Sequence, residues 1–233
     1  MGRLAGRAYA PAQGHHSAHG LSRKKRPIQA INMNRLHQWY CSSHRWKAQL
    51  GDLLPWALED VDLGDHVLEL GPGPGPTTQV LTQRAGRVTS VEIDPAVALA
   101  LRRRFGGTEV GVVRGDATCL PLRSAAFTGV VAFTMLHHIR TRELQDRLLG
   151  DVARVLRPGG LFVGFDVGRS IGLRLFHLGD TLTLVDPETF GARLEASGFH
   201  GAVVDPGRGF FRFRAQTIRR AADKMRPAAA VSD

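Results

Sequence analysis

Between residues 69 and 76 the chain reads Glu69-Leu70-Gly71-Pro72-Gly73-Pro74-Gly75-Pro76. Glycine at every second position lets the backbone turn sharply and admits a ligand where a Cβ would block it. A loop of this kind that holds a pyrophosphate does so with backbone N–H groups. Here the alternate residues are prolines, which have no N–H to give. The spacing therefore predicts close approach to a ligand that carries a nucleoside and no phosphate. Twenty-one residues after Gly71 stands Glu92, in Val88-Thr89-Ser90-Val91-Glu92-Ile93-Asp94. An acid at that distance can accept both hydroxyl protons of a ribose, and it would repel a 2′-phosphate. A third acid, Asp116 in Arg114-Gly115-Asp116-Ala117, can accept from an exocyclic amino group such as that of adenine. Further on, Phe133-Thr134-Met135-Leu136-His137-His138 offers two imidazoles. Either can deprotonate a hydroxyl or amine near neutral pH. The competing reading has them satisfying backbone groups or packing beneath a ligand.

For these residues to meet, strands must end at Leu70, near Glu92 and near Arg114 on one edge of a sheet. The apolar pattern predicts strands over His66–Leu70, Arg87–Ile93, Glu109–Arg114, Phe127–Phe133 and Leu161–Val167. Between them it predicts helices over Thr77–Arg84, Pro95–Phe105 and Arg142–Leu156. Such alternation argues for a parallel sheet with helices on both faces, whose strand ends line one crevice. Pro187–Ser197 reads as a further helix, capped by Asp186 and stopped by Gly198. Strands Phe199–Val204 and Gly209–Thr217 follow, and the short link Asp205–Gly207 favours an antiparallel hairpin. Ahead of the sheet, Leu36, Trp39, Tyr40, Trp46, Leu50, Leu53 and Leu54 recur at helical steps, which reads as two short helices broken at Pro55. They form either a packed stripe or a lid over a ligand. The apolar stretch Gly168–Val185, with Arg169, Arg174 and His177, reads as a flap on the acceptor side or as plain core. Arg102, Arg103 and Arg104 read as a solvated helix end.

The chain has 233 residues and a net charge of +10. Residues 1–30 carry six basic groups and no acid, and residues 212–233 carry six basic and two acidic groups. The intervening 19 bases and 19 acids cancel. A neutral body with basic ends predicts weak, salt-sensitive attraction to polyanions, without a shaped nucleic-acid groove. Two distant cysteines, Cys41 and Cys119, exclude a disulfide framework and a Cys-rich zinc site and suggest a reducing compartment. No metal site is expected; His15, His16 and His19 read as part of a solvated tail. No run approaches the ~18 apolar residues of a membrane span. A cytoplasmic monomer or homodimer is expected. The domains are read as a disordered basic leader over 1–30, cap helices over 31–60, a main domain over 61–218 and a flexible basic tail over 219–233.

Glu69 to Gly75, Glu92, Asp116 and Arg154-Val155-Leu156-Arg157-Pro158-Gly159-Gly160 together resemble the signature set of class I S-adenosylmethionine-dependent methyltransferases, and most closely those of type 11. Leu136-His137-His138 is also typical of that group. The resemblance implies an α/β, Rossmann-like, doubly wound sheet of seven strands, mostly parallel with an antiparallel last strand. It implies S-adenosylmethionine as cofactor and a small-molecule methyl acceptor. Gly71, Gly73 and Gly75 would flank the methionine part and Glu69 would help hold its amino group. Glu92 with Ile93 would hold the ribose, Asp116 with Ala117 the adenine, and Phe133 would line the cofactor. Val67–Gly75, Val88–Pro95 and Val113–Ala117 also resemble the rRNA adenine dimethyltransferases. Those enzymes grip an extruded base with an Asn-Leu-Pro-Tyr-type segment after the fourth strand. This chain has Phe133–His138 there, which weighs against a nucleic-acid substrate. A binding module without catalysis on the same fold is the third reading.

Overall fold

The structure, a computed structural model, describes residues 40–41, 43–168, 182–207 and 209–218. The leader, the first of the two cap helices up to residue 39, the tail from 219 and the stretch 169–181 with Arg169, Arg174 and His177 lie outside them.

Helix α1 (His44–Ala57) opens with Ser43, whose Oγ accepts from the Trp46 N–H at 3.1 Å. The helix passes through Pro55 instead of breaking there. The N–H that Pro55 lacks would have met the carbonyl of Gly51, an exposed residue, and a carbonyl open to solvent lowers the cost of the proline. Leu50, Leu54 and Ala57 are buried, in one apolar cluster with Val67, Val131, Val163 and Phe165 of the sheet. The chain then forms β1 (His66–Leu70), α2 (Pro76–Leu81), β2 (Arg87–Glu92), α3 (Pro95–Arg104), β3 (Val110–Arg114) and β4 (Phe127–Phe133). A 3₁₀ turn (Leu136–His138) leads to α4 (Arg142–Val155), β5 (Leu156–Val167), α5 (Pro187–Ala196), β6 (Phe199–Pro206) and β7 (Phe210–Thr217). Acidic or hydroxyl caps start α3, α4 and α5, whereas α2 begins at Gly75 with no side-chain cap. Asp94 accepts from Ala96 and Val97 N–H, Thr141 from Leu144 N–H and Asp186 from Glu188 N–H.

The seven strands run in the order β3-β2-β1-β4-β5-β7-β6. Strands β1 to β5 pair in parallel, while β7 is antiparallel to both β5 and β6. Order reverses between β1 and β4, and a ligand crevice opens at such a reversal, beyond the carboxyl ends of the strands. The Gly-Pro loop leaves β1 at this point. One strand begins earlier than its apolar run suggests. Leu156 pairs with Phe127, and the register then jumps to Gly129 with Leu161. The carbonyls freed by this bulge are taken by Gln216 Nε2 on Gly159 at 2.7 Å and by Thr217 Oγ1 on Arg157 at 2.6 Å. Among the described residues no helix is long and apolar enough to cross a membrane.

The core lies on both faces of the sheet. Phe162, Phe190, Phe211 and Phe213 dominate one face and Val131, Val163 and Phe165 the other. Each such side chain stabilises the fold by about 1.5–3 kcal/mol relative to exposure. Packing is tightest at Gly164, where an added Cβ would run into the Ala132 carbonyl and meet the Phe213 ring at 2.7 Å. A strand carbonyl within the ladder has little room to yield. Gly164→Ala is expected to lose about 3 kcal/mol of stability in urea unfolding. An unchanged midpoint would contradict this β4–β5 contact.

Candidate functional site

The turn after β1 is set by its own glycines. Gly71, Gly73 and Gly75 take φ of +63°, +54° and +85°, a region that costs an L side chain about 1 kcal/mol or more. At Gly75 a Cβ would also lie 2.6 Å from Leu101 and 3.0 Å from Phe105, so this glycine lets the loop settle on α3. At Gly73 a Cβ would meet nothing within 4 Å. That position opens on space. The amides of the loop are all engaged within the protein: Gly71 N–H donates to Val91 O at 3.0 Å, Gly75 N–H to Pro72 O at 3.1 Å and Gly73 N–H to Glu92 Oε2 at 3.3 Å. With prolines between them, no N–H from Gly71 to Pro76 is left to cradle a phosphate.

The three acids do not stand alike. Glu69 is 1% exposed. Its carboxylate accepts from the hydroxyls of Thr77, Thr78 (2.6 Å) and Ser90 (2.8 Å). It thereby ties β1 to the start of α2 and to β2. Burial pushes its carboxyl above the ordinary range, against the pull of the three hydroxyl bonds. Glu92, also buried, accepts from Gly73 N–H and, at 2.9 Å, from Asp94 N–H. Burial again raises its carboxyl, opposed by the amides of Asp94, Gly73 and Ile93. Glu69 and Glu92 are close enough for the charge of the second to raise the first. Asp116 is half-buried and bonded within its own turn, Oδ1 accepting from both the N–H and the hydroxyl of Thr118 at 2.8 Å. Its Oδ2 has no protein partner among the described residues. Ala117 is buried behind it, Ile93 is half-buried, and Phe133 is buried with its ring 5.1 Å from that of Phe165.

Across the crevice, Thr134 at φ +49° turns the chain out of β4. Met135 follows, its Cβ 3.1 Å from where a Cβ on Gly71 would sit. His137 and His138 come next, both buried, with ring centroids 4.1 Å apart. His137 Nδ1 lies 2.5 Å from Asp166 Oδ1. The pattern of acids and glycines does not single out Asp166, Thr77, Thr78 or Ser90. An acid inside an apolar strand, Phe165-Asp166-Val167, was the available signal. The arginines ending α3 are exposed but not merely solvated: Arg102 donates twice to Val112 O, and Arg104 Nη1 donates to Pro74 O at 2.7 Å, bracing the loop from outside.

Comparison with known proteins places this geometry in a family. The model of the methyltransferase domain matches residues 68–164, from β1 through β5. A probable S-adenosylmethionine-dependent methyltransferase of Mycolicibacterium smegmatis is 30% identical over 175 residues, covering 69% of this chain and 66% of that protein. The chain belongs to the class I S-adenosylmethionine-dependent methyltransferases. Within the family its likenesses diverge. The ribosomal RNA small subunit methyltransferase A of Thermosynechococcus vestitus is 35% identical over 119 residues, 51% of this chain and 44% of that protein. This chain therefore spans about two thirds of the first relative and less than half of the second. A solved S-adenosylmethionine-dependent methyltransferase from Aquifex aeolicus shares the fold with a TM-score of 0.64 at 17% identity, covering 80% of this chain and all of that one.

The residues of this chain fit the family's cofactor on their own chemistry. The loop offers open space and no phosphate cradle, and two acids stand at the ends of β2 and β3. Glu69, by contrast, is committed to three hydroxyls. A carboxyl whose folded-state pKa exceeds its unfolded one stabilises the fold at acid pH and loses that contribution as pH rises through the folded value. Glu69→Gln removes this dependence and keeps an acceptor for the hydroxyls. Thermal melts from acid to neutral pH are expected to show the variant gaining on the wild type as pH rises. A constant difference across that range would refute the raised carboxyl.

Proposed function

We propose that the protein transfers a methyl group from S-adenosylmethionine to a small-molecule acceptor by in-line displacement. One observation carries most of the cofactor placement: every amide of the loop is engaged, while Gly73 faces empty space beside Glu92. This suits a nucleoside without phosphates. In this reading Gly71, Gly73 and Gly75 flank the methionine part, Glu92 with Ile93 takes the ribose hydroxyls, and Asp116 with Ala117 takes the adenine. Phe133 lines the cofactor side of β4, and Glu69 acts by fixing the loop near the cofactor's amino group. S-adenosylmethionine, when bound, supplies a methyl already activated by its sulfonium. The protein's part is to align the nucleophile and exclude water. Where the nucleophile carries a proton, the imidazoles of His137 and His138 receive it.

The acceptor is read as small because the segment after β4 forms a buried 3₁₀ turn. Leu136, His137 and His138 are 1%, 2% and 8% exposed, and Phe133–His138 offers no amide side chain, proline or tyrosine of the kind that grips an extruded base. The rRNA reading is favoured by the 35% identity to the ribosomal RNA enzyme. The two separate by product: label from S-adenosylmethionine is expected in low-molecular-weight acceptors of a metabolite extract and not in purified 16S rRNA. Label confined to the RNA would reverse the assignment.

Two variants test the cofactor placement by calorimetric titration with S-adenosylhomocysteine. Glu92→Ala is expected to weaken binding by an order of magnitude or more, since hydrogen bonds to a charged group contribute about 1.5–3 kcal/mol. Gly73→Ala is expected to fold, at a strain of about 1–2 kcal/mol, yet lose affinity because its methyl enters the ligand's space. Wild-type affinity in both would place the ribose elsewhere. No heat of binding to the wild type at millimolar ligand would end the enzyme reading.

A further inference from the structure

Three backbone amides and one imidazole close on a single buried carboxylate at the carboxyl edge of the sheet. Asp166, 1% exposed near the end of β5, accepts through Oδ2 from Leu136 N–H at 2.8 Å and His137 N–H at 3.3 Å. Through Oδ1 it accepts from Val167 N–H at 2.7 Å, and the same oxygen lies 2.5 Å from His137 Nδ1. An ionised carboxylate only accepts hydrogen bonds, so a ring nitrogen at that distance carries a proton. A neutral imidazole has one N–H, and with it on Nδ1 the lone pair resides on Nε2.

The backbone around the ring is fixed as well. His137 O accepts from Thr183 N–H at 2.8 Å. Gln145 Nε2 donates to both Leu136 O and Thr183 O, at 3.1 and 2.8 Å. Gln145 is itself held by Arg193, whose Nη2 donates to Oε1 at 3.0 Å while its Nε pairs with Asp146 at 2.7 Å. Groups from β5, α4, α5 and the segment before α5 thus leave the 3₁₀ turn little freedom.

We propose that Asp166 is a positioning residue for methyl transfer, holding His137 as the tautomer protonated on Nδ1 with its lone pair on Nε2. This rests on the reading of His137 as the base. In that step the acceptor's lone pair forms the bond to the methyl carbon. The carbon–sulfur bond breaks with its electron pair kept by sulfur, and the nucleophile's proton passes to His137 Nε2. The charge gained by the ring then faces the Asp166 carboxylate. The logic is that of a base oriented by a buried acid.

The tautomer can be read without turnover. Two-bond proton–nitrogen correlation spectra of the full chain labelled with ¹⁵N-histidine, with and without S-adenosylhomocysteine, are expected to show His137 protonated on Nδ1. His137→Gln identifies its signals by their loss. In Asp166→Asn the amide oxygen is drawn to the paired N–H groups of Leu136 and His137, which turns the NH₂ toward the ring. The proton should then move to Nε2. A wild-type ring protonated on Nε2 overturns the proposal, even if the variant fails to fold, and so does a folded variant with an unchanged tautomer. With an acceptor identified by methyl labelling, Asp166→Asn is expected to lower kcat about 100-fold, the range of general-base contributions, and to leave KM for S-adenosylmethionine unchanged. An unaltered kcat beside a flipped tautomer would also overturn it. Failure of the wild type to bind S-adenosylhomocysteine, with the tautomer as expected, would instead remove the methyltransferase reading.

Discussion

The site rests on a carboxylate that gathers three hydroxyls of the protein. Glu69 sits at the end of β1 and collects the hydroxyls of Thr77, Thr78 and Ser90, which belong to the helix after the loop and to the neighbouring strand. A carboxyl with so little exposure is costly to bury unless its lone pairs are filled, and three donors from two directions fill them. The consequence is geometric. The loop from Gly71 to Pro76 has its two ends fixed by one group, and Leu101, Arg104 and Phe105 support it from outside.

That fixed path explains how a segment half made of proline can be a binding loop. Each glycine amide finds an acceptor inside the protein, on Val91, Pro72 or Glu92, and each proline needs none. Arg104 covers the outward carbonyl of Pro74. A loop satisfied this way presents shape and carbonyl oxygens, with no amide from Gly71 to Pro76 left for a phosphate. On the proposed placement, preference for a phosphate-free nucleoside follows from this hydrogen-bond capacity, and the Glu92 carboxyl stands on the same side.

Much of this was legible in the sequence. Short apolar runs broken by Gly, Pro and Asp marked the strands to within a residue or two, because parallel strands buried on both faces must be nearly continuous in Val, Leu and Phe. Pro95 and Pro187, each preceded by Asp, marked helix starts for reasons local to the backbone. The misjudged boundaries are those where tertiary partners decide. Leu156 joins β5 because Phe127 lies opposite it and because Gln216 and Thr217 supply donors to the bulge. Pro55 stays inside α1 because its missing partner faces water. For the site, spacing located the acids and could not tell which of them fold turns inward.

Hydrogen-bond partners, more than burial, distinguish the acids. At the ends of β1 and β5, Glu69 and Asp166 are both 1% exposed, and each gathers several donors from the segment that follows a strand: Thr77 and Thr78 after β1, Leu136 and His137 after β4. Parallel strands leave unpaired polar groups where they end, and one carboxylate with about four acceptor sites can gather several of them in a space too small for water. Asp116 keeps one oxygen without a protein partner among the described residues, and Glu92 stands where the loop opens. A strand-end acid whose oxygens are taken by hydroxyls and amides of neighbouring segments therefore serves as scaffold. In the sheet order the open acceptor of Asp116 lies beyond β3, while the scaffold carboxylates stand on β1 and β5, so the edge that keeps an acceptor to offer lies to one side of the groups that hold the loops still.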